Sequence, residues 1–263
     1  MHSIRIRFLI FLISFTFIFL LIRYFNFLPS AKLSQNIDSI PWLFSAISLI
    51  FSIISGFVIQ SKWSTWDHLI DATHGELNSF RQLHVLSHHF PESIQKKIKQ
   101  NICQYLTLII KEAEVNQDLD IRSSEVETAI YALEETVFNI DYSQHPNIGE
   151  MAFDLVRKCM DYRERRLQNI SHKLPLGVKA FVMSATFFMI FSSLFIGVTS
   201  LIYDYLFTLI IAILSYGIYM LIDDLDHPYR PGQWHLKSDG YKTLLLEIQD
   251  DKMMNEIQEK HRE

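Results

Sequence analysis

The run IPWLFSAISLIFSIISGFVIQSK, residues 40–62, decides the fold. No acidic or basic residue interrupts it before Lys62. From Ile40 to Ile59 it spans about 20 residues, enough at about 1.5 Å per residue to cross a hydrocarbon core roughly 30 Å thick. Pro41 suits the first turn of such a helix, where a missing N–H costs nothing. Trp42 stands near one end, and Trp63 and Trp66 lie just beyond the other, where interfacial aromatics belong. The run reads as a transmembrane helix.

Three more apolar runs flank it, at about residues 8–28, 176–202 and 205–222. The first follows Arg5 and Arg7, so it reads either as a cleaved signal peptide or as a retained helix. Pro29-Ser30-Ala31 puts proline at the −3 position of a cleavage site, and the run is long and Phe-rich with a second apolar helix behind it. It is read as retained. Asp204 falls in the tight turn expected between the last two runs. An unpaired aspartate is costly at a bilayer centre, so its expected place is the outer interface, beside Tyr203 and Tyr205. Four crossings put both termini on one side. By the positive-inside rule that side is the cytoplasm. It holds Arg5, Arg7, Lys62, the Arg163-Glu164-Arg165-Arg166 run, Lys173, Arg230 and Lys237, whereas the outer loops offer only Arg23 and Lys32.

Composition fits. Of 263 residues (30.9 kDa), 49% are apolar, with a mean hydropathy of +0.13. The 24 Lys and Arg face 29 acids, a net charge of −5, which argues against nucleic acid as a partner. Eight glycines and seven prolines are too few for an all-β fold or a disordered chain. Two cysteines, Cys103 and Cys159, exclude a disulfide scaffold or a Cys-rich metal site.

Residues 62–173 read as a helical insert. Trp63, Trp66, Ile70, Thr73, Leu77, Phe80 and His84 follow a 3-4-3-4 seam. No proline occurs between Pro41 and Pro91, so the second membrane helix is expected to run on to His89-Phe90-Pro91-Glu92, roughly 70 Å in all. Further helices are expected at about 92–115, 123–139 and 147–172. Ile94, Ile98, Ile102, Tyr105 and Ile109 form one stripe. Ser123/Ser124 with Glu127 resembles a capping box. Leu174-Pro175-Leu176-Gly177 marks the return to the membrane. The tail from Tyr241 to Glu263 reads as an amphipathic helix fraying into charge, whose Leu244, Leu245, Ile248 and Met253 could dock on the insert. The seam packs either within the chain or between subunits.

Four features could carry chemistry. Ser45, Ser48, Ser52 and Ser55 share one face of the second membrane helix, with Gly56 beside it. Such a face either packs helices closely through small residues or lines a pore with hydroxyls that replace part of an ion's water shell. Phe44, Ile47, Phe51, Ile54 and Val58 form the neighbouring face, with Phe44, Phe51 and Ile54 as candidate constrictions that gate by dewetting. Asp223, Asp224 and Asp226 end the fourth helix. They could hold a hard cation such as calcium, although they lack EF-hand spacing, and the plainer reading pairs them with nearby Arg and Lys. His84 and His88 are four apart without the glutamate of a metalloprotease motif. With His68, His74 and His89 they could make the long helix pH-sensitive. No P-loop, dinucleotide fingerprint or nucleophile elbow is present, so no enzyme is expected, and no metal or other cofactor.

Three places resemble the bestrophin-like chloride-channel family of bacteria and plants. Glu76-Leu77 sits where that family has a Glu-Ala step. Arg163 with Arg166-Leu167 is similar to its Arg-rich stretch before the third membrane helix. Leu225-Asp226-His227-Pro228-Tyr229-Arg230-Pro231-Gly232 is similar to its Leu-Asp-x-Pro-Phe-x-Gly ending, with Tyr229 in place of phenylalanine and Pro231 inserted. The Arg-Phe-Pro triplet of true bestrophins is missing, His89-Phe90-Pro91 being the nearest string. Glu112-Ala113 stands where a Glu-Trp step is common. The acidic calcium clasp of animal bestrophins has only Asp223, Asp224 and Asp226 to represent it. The resemblance implies an all-α membrane protein, with two transmembrane hairpins flanking a cytosolic helical insert. It also implies a symmetric homo-oligomer, a pentamer, with the second membrane helix around the axis.

Two functions compete. The first is an oligomeric ion channel of a bacterial inner membrane, with the insert as its vestibule. Residues 62–173 hold 13 basic and 17 acidic residues, net −4, which favours cations against the chloride of the family label. The second is a non-conducting, membrane-anchored interaction protein whose insert binds a partner. A transporter is weaker, because no repeat relates the two hairpins.

Overall fold

The computed structural model describes residues 2–25, 39–115, 123–140, 146–194, 200–230 and 232–250. Phe27, Leu28, Pro29-Ser30-Ala31, Lys32, Pro231 and the tail beyond Asp250, Met253 included, lie outside them. Among the described residues the structure is helices and short connections, without strands.

The helices are α1 (His2–Tyr24), α2 (Ser39–Ser87), α3 (Glu92–Val115), α4 (Ser124–Phe138), α5 (Pro146–Ser171), α6 (Leu176–Ser193), α7 (Leu201–Leu225) and α8 (Asp239–Asp250). Helix α2 is unbroken over 49 residues, as the absence of proline between Pro41 and Pro91 requires. It stops at the turn before Pro91, where His88, His89 and Phe90 bond back three residues to Val85, Leu86 and Ser87. Among the described residues four helices are long and apolar enough to cross a membrane: α1, the first part of α2, α6 and α7.

Three expectations are corrected. The third span ends at Ser193 rather than near 202, and α7 already begins at Leu201. Asp204 is therefore not in a turn. It lies in the first turn of α7, buried, and its carboxylate pairs with Arg23 of α1 at 2.6 Å. At α4 the N-cap is Ser123, whose side chain makes no capping bond. The Ser124–Glu127 spacing lies one residue too far along the chain to form the box.

The chain divides into two compact units: Met1–Ser64 with Lys173–Trp234, and Thr65–His172 with His235–Glu263. In the first, α6 and α7 form an antiparallel pair. Helix α1 lies on α7 through Phe15, Phe19 and Ala212, joined by Leu194 from the end of α6, with Phe11 stacked on Tyr216 at 3.9 Å. Helix α2 meets α6 and α7 where Val58, Val182 and Ile222 cluster.

The second unit has a core drawn from five helices. Leu77, Phe80 and Leu83 of α2 pack with Ile98, Ile102, Tyr105, Leu106 and Ile109 of α3. Val126, Ile130 and Leu133 of α4, Val156 and Cys159 of α5, and Tyr241, Leu244 and Ile248 of α8 complete it. The lower part of the α2 seam thus packs inside its own chain, and the tail helix belongs to this core. Gly75 is required at its place, because a Cβ there would overlap the Tyr162 ring.

One polar group lies inside that core. Glu76 of α2 is 0% exposed. Its Oε2 accepts from Arg166 Nε at 2.8 Å and from the Tyr241 hydroxyl at 3.0 Å, and its Oε1 accepts from the Tyr105 hydroxyl. Burial, and then the Glu76 charge, hold the Tyr105 phenol well above its usual range, so it remains a donor. Burial likewise pushes the Cys159 thiol up and keeps it unreactive, with Glu76 adding to the effect. Removing one partner of a buried pair strands the other, at about 3–5 kcal/mol. Glu76→Gln should therefore destabilise the full chain by that amount in denaturant titrations, with Glu76→Gln/Arg166→Gln recovering part of the loss. A single variant within about 0.5 kcal/mol of wild type would show that Glu76 holds nothing together.

Candidate functional site

The candidate pore face lies on α2, and the structure splits the serine stripe. Ser48 and Ser55 turn toward the chain's own helices. Ser48 donates to the Phe44 carbonyl at 2.7 Å and lies 3.7 Å from Met189 Sδ of α6. Ser55 is only 2% exposed. Ser45 and Ser52 are exposed, as are Leu49, Ile53 and Gly56. The two pairs are each seven residues apart, and the rotation between them decides which side of the helix they join.

The proposed constriction residues follow the buried side. Phe51 is buried, Phe44 is half-buried, and Ile54 packs against the Val58–Val182–Ile222 cluster. The outward face instead shows Trp42, Leu43, Leu49, Ile50, Ile53 and Phe57. An apolar ring drawn from α2 has Leu49 and Ile53 available and Phe51 already committed within the chain.

The acidic ending of α7 is a set of locks. Asp226 is buried and pairs with Lys62 of α2 at 2.7 Å. It also accepts from the Leu174 N–H at 2.8 Å and lies 3.8 Å from Lys179 of α6. Asp223 meets Lys179 at 3.0 Å, the His227 ring at 3.5 Å and Arg7 of α1 at 3.9 Å. Asp224 accepts from the backbone N–H groups of Gln233 at 2.9 Å and Trp234 at 3.1 Å. Gly232 must be glycine because a Cβ would fall on the Asp224 carboxylate. Trp234 then packs edge-on against Trp63, with ring centroids 4.5 Å apart.

The three carboxylates go to three different sets of partners. Among the described residues no group of three His, Cys, Asp or Glu is placed to hold a metal ion. His84 and His88 stand edge-to-face at 5.1 Å, and the His88 ring bonds Gln95 at 2.7 Å.

Sequence reasoning missed two things here. It did not pair Lys62 with Asp226 or Arg23 with Asp204, because the partners are far apart in the chain. It did single out Glu76 and Gly232 by resemblance, Arg166 by resemblance and for orientation, and Asp226 also as an acid able to pair with nearby Arg and Lys. The structure shows what these residues do: each secures a contact between elements.

The helices and the buried pairs define a helical membrane protein with four apolar spans and a second helical unit. Residues 10–232 match the Bestrophin-like domain family. The chain belongs to that family, one of ion channels. The fold agrees. The crystal structure of a bacterial bestrophin homologue from Klebsiella pneumoniae superposes with a TM-score of 0.72 at 13% identity, covering 94% of this chain and 98% of that one. A single-substitution variant of the Klebsiella pneumoniae homologue gives 0.74 at 12% identity, covering 94% and 97%. No curated protein matches the chain in sequence.

The Asp226 lock makes a pH prediction. Burial alone would raise the Asp226 carboxyl, but the Lys62 hydrogen bond and charge and the Leu174 N–H outweigh it and hold it below its usual range. A depressed carboxyl stabilises above its unfolded pKa of about 3.9, and the stabilisation fades as pH falls through the folded value. Asp226→Asn should therefore melt below wild type at pH 7, and the two curves of Tm against pH should converge below about pH 4. A gap that holds constant down to pH 3 would count against the pair.

Proposed function

We propose that the chain assembles into a homo-oligomeric ion channel, a pentamer, in a bacterial inner membrane, with α2 around the axis and both termini cytoplasmic. The observation that carries this reading is the outward face of α2. One side of the helix is buried against α6 and α7. The other presents Ser45, Ser52 and Gly56 with Leu49 and Ile53 between them. Exposed hydroxyls two turns apart can replace part of an ion's hydration, and the apolar residues between them can form narrow, dewetting rings. Ser48 and Ser55 support the wall from behind.

Charge supports a lean to cations. The insert's net −4 over residues 62–173 concentrates cations in the adjoining solution. Two of the cations counted for orientation, Lys62 and Arg166, are held in buried pairs. The cytoplasmic placement of the termini therefore rests on Arg7, Lys173 and Lys237, all exposed. Arg23, at the other end of α1, is sealed against Asp204.

A second reading is an anchored interaction protein. Its support is an exposed apolar set on the second unit: Tyr131 and Phe138 on α4, and Met151 and Phe153 on α5. A partner could bind there, and so could a neighbouring subunit.

Planar-bilayer recording of the purified protein in a KCl gradient tests the channel. Discrete currents are expected, reversing toward the potassium potential. After Ser52→Cys, a thiol-reactive methanethiosulfonate should cut the current several-fold. After Ser48→Cys it should leave the current at the wild-type background, for which Cys103 is the accessible native thiol, Cys159 being buried. Silence from folded, oligomeric protein across pH, voltage and calcium would favour the anchored reading. Block at Ser48→Cys instead of Ser52→Cys would overturn the assigned face.

A further inference from the structure

Arg7, Lys179 and Asp223 stand at the same end of three membrane spans. Arg7 follows Ile6, where the first span begins, Lys179 lies in the opening turn of α6, and Asp223 lies in the closing turn of α7. Asp223 joins the other two. Its Oδ1 lies 3.0 Å from Lys179 Nζ, and its Oδ2 lies 3.9 Å from Arg7 Nη1. The lysine is close enough to donate, and the guanidinium is not. Among the described residues Asp223 is the one ionic partner of Arg7, whose side chain stays 60% exposed.

The charges in this set do not cancel. Arg7, Lys62 and Lys179 share two carboxylates, Asp223 and Asp226. Asp224 turns away to the N–H groups of Gln233 and Trp234. One positive charge is left over. Lys62 is buried, so the surplus shows on Arg7, with Lys179 half-buried beside it. The surface around Arg7 is apolar: Ile6, Leu9 and Ile10 of α1 are exposed. Next to them Phe8 and Phe11 stack on Tyr216 of α7 at 6.5 and 3.9 Å, and Tyr219 continues the row at 6.2 Å. A soluble anion would match the charge and leave these side chains uncovered. An anionic amphiphile matches both.

We propose that Arg7 and Lys179 hold the phosphate of an anionic phospholipid, whose glycerol and upper acyl chains cover the Phe8–Phe11–Tyr216 row. A guanidinium takes two phosphate oxygens at once, and basic side chains at a span end reach the headgroup layer while their stems stay on apolar surface. Asp223 places Lys179 and competes with the phosphate for both cations. The site stands whether or not the protein conducts.

The test is native mass spectrometry of the full-chain protein in detergent with added dioleoyl-phosphatidylglycerol or dioleoyl-phosphatidylcholine. Phosphatidylglycerol should be retained in preference, and it should raise Tm, as binding to the folded state requires. Arg7→Gln should cut its retention about fivefold, the factor expected for one basic residue at an anionic surface. Lys179→Gln should do the same, and Asp223→Asn should raise retention. Lys237→Gln, which removes an exposed charge from the second unit, should leave it unchanged. Because Arg7 is exposed, its variant keeps the test decisive if Lys179→Gln fails to fold. Equal retention of the two lipids, or equal retention by wild type and Arg7→Gln, overturns the proposal. So does displacement of the lipid by glycerol 3-phosphate, which would mark a site for soluble phosphate, or a structure of the oligomer with a neighbouring subunit's carboxylate on Arg7.

Discussion

A carboxylate with no exposure to water must find its compensation inside the protein, and Glu76 finds all of it in one place. Arg166 supplies the opposite charge, and Tyr105 and Tyr241 supply the remaining donors. These partners come from α5, α3 and α8, while Glu76 belongs to α2. Four helices therefore have to arrive together. Apolar side chains tolerate small slips in register, because dispersion and hydration depend only weakly on direction. A buried carboxylate does not, since a slipped partner leaves a charge unpaired. The close approach of Gly75 to Tyr162, one residue away on α2, narrows the choice further.

The first unit repeats the device at both ends of one helix. Asp204 in the first turn of α7 pairs with Arg23 of α1, and Asp226 just past its last turn pairs with Lys62 of α2. The two acids are 22 residues apart, about 33 Å along a helix, close to the thickness of a hydrocarbon core. The pairs thus stand near the two ends of the apolar stretch, and α7 carries no charged side chain between Asp204 and Asp223. Each acid is matched inside the chain, so neither is exposed to lipid.

What the sequence made legible was whatever depends on neighbours along the chain. Apolar run length and the absence of proline foretold the spans and the unbroken α2, and the stripe from Ile98 to Ile109 is buried as its spacing implied. What depends on distant partners was hidden. Asp204 was read as unpaired because Arg23 lies 181 positions away. The third span was drawn too long because the apolar run continues past Ser193, where the helix ends, and hydropathy does not register that end. The division of the serine stripe was hidden for a related reason: periodicity says which residues share a face, not which way the face points. A signal for the direction was present. Phe44, Phe51 and Val58 repeat at seven, Lys62 follows four later, and a lysine on that line has to be neutralised by its own chain.

The residues that carry the family likeness are these locks. Glu76 and Arg166 hold the second unit together, while Asp226 and the Asp224–Gly232 contact hold the end of α7. None of them lies on the outward face of α2. Changing a lock strands a charge or forces a collision, at several kcal/mol. Changing Leu49, Ser52 or Ile53 breaks none of those buried pairs. Structures at 12–13% identity share the architecture over nearly their whole length. Direction-dependent buried pairs hold the elements of each unit in register, whereas the outward face of α2 is bound by none of them.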